Sequence, residues 1–444
     1  MTWFMLLLLA QTPRALTLPE ALELAHTSQP ALAAARERLS ASRFEVVATQ
    51  RAWLPTVGVG AGLVAGTANN STAVVLSTGS LDLPRIGGTK TLADPSWTTT
   101  ASSLLGVTVR QELYDFGRLS LQTAAARAGA DVEQARAAAI GAEVDAQVSE
   151  AFVAVQSAHA VQSAIAAALA RARLNRDFAV RAVAAGLKAP VELTRAQAEL
   201  ARAEVASVRA DESLQLSRSA LASAMGVREA EVDVVGALDD PEAPPDRETL
   251  ERDVLDREPT LRALRSQAQV AAAQVELASA QLRPNLALSA TLSGRAGGTP
   301  PSSGSPSFGA GLLPVVPNYD VGAVLSWPVL DLPQRSRVEA QRARALAAVQ
   351  DVAALEQRLT HLVDQVWTRL QQAKSAQTAL EAALQASNAN LEQAQARFEL
   401  GLGTSVELAD AQNLKTDAEV QVVLGRAAAR AARIALDRLT QEHR

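Results

Sequence analysis

Two spacings of apolar residues alternate along this chain. After Pro284 the period is two: Leu286, Leu288, Ala290 and Leu292 fall on one face, and Ala287, Ser289, Thr291 and Ser293 on the other. That is the pattern of a strand with one apolar and one small polar face. A similar stretch follows Pro55, where Val57, Val59, Ala61 and Leu63 are set against glycines. Second strands are predicted by Leu105, Val107 and Val109, and by Val321, Ala323, Leu325 and Trp327. Loops rich in Gly, Ser and Thr, at Thr67–Thr100 and Gly294–Asn318, join each pair, so the pattern predicts two hairpins at about 55–112 and 284–330. Loops of this length are unusual in a compact soluble domain but ordinary on the outer side of a transmembrane barrel.

Elsewhere the period is helical. Pro30–Pro55 and Pro259–Pro284 each read as a helix entered and stopped by proline. Between Leu119 and Ala184, Val144, Ala151, Ala158 and Ile165 recur every seven residues beside Val148 and Val155. Val352, Leu355, Leu359, Leu362 and Val366 step by three and four, a heptad seam continued by Leu384, Leu391 and Phe398. At 1.5 Å per residue such helices are roughly 100 Å long. Each breaks at a glycine, Gly186 or Gly401, and a second long helical run follows, giving helical hairpins over 119–225 and 335–440.

The two breaks carry one motif. GLKAPVELTRAQ from Gly186 and GLGTSVELADAQ from Gly401 both read Gly-Leu-x-x-x-Val-Glu-Leu-x-x-Ala-Gln, 401 − 186 = 215 positions apart. The proline-bounded helices also align without a gap, 259 − 30 = 229 apart. The chain is therefore read as a duplication, with a first repeat at 16–225 and a second at 259–444. The acidic, proline-rich segment 226–258 (DDPEAPPDRE) connects them, with one short helix near Glu248–Asp256. Within the motif, Gly supplies the helix end and Thr404 a cap for the returning helix.

Composition narrows the class. Only 5 Trp, 2 Tyr and 7 Phe occur in 444 residues, and alanine dominates the apolar share, a make-up suited to closely approaching helices. The net charge of −5 is spread without a basic block, so no nucleic-acid partner is expected. Cysteine is absent, which excludes disulfides and thiol chemistry. Trp3–Ala10 reads as the apolar core of a signal peptide over 1–15, with cleavage at Ala10 and Ala15 both open. No other unbroken apolar run reaches 18 residues, so no helical membrane span is expected. His26, His159, His361 and His443 are scattered and read as helix-surface residues. The glycine-rich SGRAGGTPPSSGSPSFGAG lacks a following Lys-Ser/Thr and reads as an exposed loop. No metal, cofactor or catalytic site is expected. Trp327 fits an aromatic girdle and core packing equally.

Four strands with one apolar face leave open edges, which lipid does not tolerate. Several copies must then share one barrel, and the reading from residues alone reaches an oligomer of unspecified number. In its ordered, duplicated set of motifs, from LTLPEALELAHTSQPAL through LPTVGVG, LYDFGR and GLKAPVELTRAQ to the second copy, the chain resembles the outer-membrane efflux and export channels of the TolC type. The resemblance covers nearly all of Leu16–Leu439. It implies a mainly α fold with a membrane β-barrel portion: a homotrimer with a shared 12-stranded barrel and a periplasmic α-helical tunnel of twelve helices. It implies a passive conduit in the outer membrane, in contact with outer-membrane lipid and with a large periplasmic portion. Its partners would be a periplasmic adaptor (membrane fusion) protein and an inner-membrane pump of RND or ABC type. A soluble periplasmic coiled-coil scaffold is the alternative.

Site residues follow from the resemblance. Glu407 and Asp410 share a helix face and would form a ring of six carboxylates at the closed tunnel entrance, where a divalent cation could plug the pore. The other reading gives both carboxylates to the first turn of a helix, stabilised by its dipole. Gly186, Glu192, Arg195, Phe398, Gly401 and Gly403 form the tip turns and the contacts between hairpins. Phe398 stands where well-known members carry an aromatic hydroxyl, and Gly403 where they can carry arginine. The closed tip is then held by packing, or Arg195 serves as the cation.

Overall fold

The computed structural model describes residues 14–67, 97, 99–228, 232–236, 238, 246–297, 316–400 and 402–440. The amino-terminal apolar run, most of both strand loops and Gly401 lie outside the described residues. The elements in order are β1 (Arg14–Leu16), α1 (Leu18–Ser28), α2 (Pro30–Arg51), β2 (Thr56–Thr67), β3 (Thr99–Tyr114), α3 (Arg118–Ala184) and α4 (Pro190–Met225). Then come β4 (Val232–Val234), α5 (Arg247–Arg257), α6 (Pro259–Ala280), β5 (Asn285–Gly297), β6 (Val316–Ser326), α7 (Leu332–Glu399) and α8 (Ser405–Thr440). The elements divide between two compact units. One holds residues 1–39, 132–265 and 350–444, and the other 40–131 and 266–349.

The second unit contains one antiparallel sheet in the order β2-β3-β5-β6. Its faces are inverted relative to a soluble protein. One row across the sheet, Val59–Val107–Leu292–Tyr319, is 66%, 37%, 60% and 83% exposed. In the adjacent row Thr108 and Thr291 are buried, and their hydroxyls lie 3.2 Å apart. Small polar side chains thus cover one another while Val and Leu face outward, the alternation expected where the outer medium is lipid. Strand β6 ends at Ser326, so Trp327 falls just beyond it and is exposed. Asp115, buried, caps α3 by accepting from the Leu119 and Gly117 N–H groups at 2.5 and 3.0 Å, and Asp331 caps α7 through the Gln334 N–H at 2.9 Å.

In the first unit α1 begins with a capping box between Thr17 and Glu20. It packs Ala21 and Ala25 into a core with Val144, Val148, Phe152 and Val155 of α3 and Leu214, Leu221 and Met225 of α4. Strand β1 pairs in parallel with β4, Leu16 opposite Val234, a pairing that the sequence reading did not foresee. Gly226 ends α4 at φ +73°, and a Cβ there would lie 3.0 Å from the Ser28 carbonyl oxygen and 3.1 Å from Gln29 Cα. Both the left-handed backbone and the close approach require glycine. Gly226→Ala is expected to cost about 2 kcal/mol or more, read as a lowered thermal midpoint of the helical signal in detergent.

A second core joins Leu250 and Val254 of α5 to Leu261 of α6, Leu359, Val363 and Leu370 of α7, and Leu436 of α8. Here the strict heptad expectation fails at one position: Leu362 is exposed, and Val363 takes its place. The inward positions then run Val352, Leu355, Leu359, Val363, Val366 and Leu370. The 3-4-4 step is an 11-residue repeat close to the natural helix period, so this stretch of α7 needs little supercoiling. The absence of unbroken apolar runs also understated α3, which holds an 18-residue window of mean hydropathy 1.4, apolar and long enough by composition to cross a membrane.

Candidate functional site

The two motif copies form the turns of two helical hairpins, α3–α4 and α7–α8. In the first, Gly186 adopts φ +73°, its N–H donates to Val183 O at 3.0 Å, and the Leu187 N–H donates to Ala182 O at 2.9 Å. That pair of bonds is a Schellman ending, which a left-handed glycine permits. The second turn repeats the longer bond at the equivalent positions, Leu402 N–H to Arg397 O at 2.8 Å. Gly403 N–H also donates to Arg397 O at 3.0 Å, and a Cβ on Gly403 would stand 3.2 Å from the Phe398 nitrogen and Arg397 Cβ. A larger residue at Gly403 would have to push this turn open.

The returning helices start differently. Thr404 caps α8, its Oγ1 accepting from the Glu407 N–H at 3.2 Å while the Glu407 carboxylate accepts from the Thr404 N–H at 3.4 Å. Glu407 therefore serves as the third residue of a capping box, with Arg397 3.9 Å away and both side chains exposed. Asp410, one turn on, is exposed. Helix α4 has no such cap: Ala189 precedes Pro190, and Glu192, the counterpart of Glu407, is left for other work. It accepts a hydrogen bond from the Ser405 hydroxyl at the start of α8 and lies 3.5 Å from Arg195. One carboxylate thus ties the two turns of a single chain together.

Around this link Phe398 packs edge-on against Phe178, centroids 6.4 Å apart, with Lys188 Nζ 4.9 Å above the Phe398 ring. Further along, Asn175 donates to Gln412 at 2.8 Å and Arg171 to Thr416 at 3.1 Å, a polar ladder at helical spacing between α3 and α8. A cleft of about 440 Å³ lies among α3, α4, α8 and the end of α7, with Phe178, Glu192, Arg195, Phe398, Ser405 and Gln412 in its walls. The structure brings together Glu192, Arg195 and Phe398. Ser405, Lys188, Asn175 and Gln412 were missed. Ser405 stands at the position equivalent to Pro190, and that mismatch within the repeat was the available signal. Leu187 and Leu402 and, four residues on, Val191 and Val406 are equivalent in the two copies, and all four are exposed.

Two histidines read as surface residues are engaged. His26 Nε2 lies 2.5 Å from the Asp145 carboxylate, and His159 Nε2 2.7 Å from Asp233 of β4, which also accepts from Arg218 at 2.6 Å. Burial pushes the Asp233 carboxyl up, but hydrogen bonds from His159, the Val234 N–H and Arg218 outweigh it and hold its pKa below the ordinary 3.8. A depressed carboxyl stabilises the fold above its unfolded pKa and loses that contribution as pH falls through the folded value. Asp233→Asn is accordingly expected to cost roughly 2 kcal/mol at neutral pH and to flatten the loss of stability below about pH 4. Thermal midpoints across pH check it.

A sheet with its apolar side exposed and two long helical hairpins with polar turns together define the class of fold. Residues 21–227 and 250–441 match the family described as outer membrane efflux protein. The chain belongs to the outer membrane efflux protein family. By that family it is an efflux protein of the outer membrane. Protein CyaE of Bordetella pertussis is 29% identical over 281 residues, a match that spans 62% of this chain and 54% of CyaE, about half its length. Among solved structures, the outer-membrane channel OprN is similar over 96% of this chain and 90% of its own, at 21% identity and a TM-score of 0.75. The outer membrane protein VceC of Vibrio cholerae is similar over 95% of both chains, at 20% identity and a TM-score of 0.74. These likenesses carry the fold.

Proposed function

We propose that this chain is the outer-membrane conduit of an efflux or secretion machine, three copies of which close one barrel of twelve strands. The inverted sheet carries the reading: its apolar face is exposed, Ser103, Thr108, Thr291 and Ser293 at the centre of its polar face are buried, and β2 and β6 each have one neighbour only among the described residues. Pairing β6 of one copy with β2 of the next removes every edge, as lipid demands. A scaffold free in the periplasm would leave Val59, Leu292, Tyr319 and Val321 in water.

The conduit is passive. Energy comes from an inner-membrane pump of RND or ABC type, and a periplasmic adaptor reaches the helical tips, where the exposed Leu187, Val191, Leu402 and Val406 offer an apolar surface repeated in both hairpins. The Glu192–Ser405 bond holds the two turns together in the closed state. Opening separates them, and Glu407 and Asp410 line the entrance. Conductance across a planar bilayer tests this. The native protein should give small, mostly closed channels, and Ser405→Ala with Glu192→Gln should raise the open fraction severalfold, in line with loss of a charge-assisted hydrogen bond. A protein that inserts but conducts identically with and without the substitutions would remove the link from the gate, and one that never conducts would remove the conduit.

A further inference from the structure

The strand ends opposite the two long loops carry a band of unusual composition. Segments 51–56, 110–120, 281–287 and 326–337 together hold six arginines and three acids, about twice the arginine density of the whole chain and a local balance of +3 in a chain of net −5. The acids are spent: Asp115 and Asp331 cap helices, and Glu112 lies 3.5 Å from Arg118 and accepts from Asn285 at 3.3 Å. Arg110 stands on the polar face of the sheet, in the same alternation as Thr108. Arg51, Arg283 and Arg335 remain exposed. Arg283 is fixed by donating to the Phe116 carbonyl at 2.9 Å.

Exposed aromatic and aliphatic side chains fill the same band. Trp53, Tyr114, Phe116 and Trp327 are all exposed, with Leu54, Leu113, Val329 and Leu330 beside them. Tyr114 and Phe116 meet edge-on at 4.6 Å, and the Trp53 carbonyl accepts from Gln111 of β3 at 2.6 Å. These side chains come from three segments of one compact unit, the unit that also holds Arg283. Amphipathic rings at this level suit the boundary between hydrocarbon and headgroups. A cluster of arginines suits phosphate, which the planar guanidinium fork can grip with two hydrogen bonds.

We infer that this band is a binding site for the headgroups of anionic phospholipids in the periplasmic leaflet, gripped by Arg51, Arg283 and Arg335 beside Trp53 and Trp327. The inference rests on the outer-membrane reading and adds a lipid preference to it. The test reconstitutes the full-length protein into vesicles of equal parts phosphatidylglycerol and phosphatidylcholine, extracts it in mild detergent, and measures the lipids retained. Phosphatidylglycerol should be enriched, and each of Arg51→Gln, Arg283→Gln and Arg335→Gln should reduce the enrichment about fivefold, the equivalent of roughly 1 kcal/mol per basic side chain near the surface. Arg→Lys at the same positions should keep part of it, and Arg110→Gln should leave it unchanged. Equal retention of both lipids by the native protein would overturn the proposal alone. Failure to enter vesicles of either lipid would overturn it together with the outer-membrane reading.

Discussion

Val107→Arg is expected to abolish the assembled channel. Val107 lies near the middle of β3, paired with Val59 on one side and Leu292 on the other, on the exposed apolar face. An arginine facing lipid at mid-depth costs about 2–4 kcal/mol, and a threefold barrel would bear that cost in every copy. Gly322→Arg is the control. Its position alternates with the outward Val321, and a Cβ there meets nothing within 4 Å, so the charge would enter the polar interior and assembly should persist. Heat-resistant oligomers on a gel separate the outcomes. Equal loss in both variants, or in neither, would mean that the apolar face does not meet lipid.

The second large effect belongs to the entrance. Glu407→Gln with Asp410→Asn is expected to abolish block of conductance by divalent cations, because six carboxylates would become six amides. The two positions contribute differently. Glu407 is engaged in capping α8 and stands near Arg397, so its substitution also weakens the helix start by about 1 kcal/mol. Asp410 has no part in the cap, so Asp410→Asn alone should weaken the block while leaving the thermal midpoint in place. Unchanged block in the double variant would leave both residues as helix-end charges stabilised by the dipole.

The duplication was the most legible feature, because it is written in residue types and needs no energies. The helices between prolines, Pro30–Arg51 and Pro259–Ala280, begin where proline allows and stop short of the next proline. The strand faces were legible for the same reason: period two survives any tertiary context, and Leu292 and Thr291 fell on the faces assigned to them. What escaped was set by contacts distant in sequence. Strands β1 and β4 are three residues each, too short to show a period, and they pair across more than 200 residues. His159 looked like a surface residue because its partner, Asp233, lies 74 positions away. The Leu362 slip arises because an unstrained helix has 3.6 residues per turn, so a seam read as strict heptads drifts off the contact after a few turns. At the tips, Thr404 announced itself as a cap by residue type, whereas the Ser405–Glu192 link joins different copies of the motif and is visible only when both turns are side by side.

The direct test of the shared barrel is the mass of the complex extracted from outer membranes, run beside a heat-modifiability gel. Recovery only with detergent, as a particle of three times the mass of the mature chain that collapses to one chain on boiling, is the predicted result. A monomer or dimer that washes off the membrane in carbonate would contradict it.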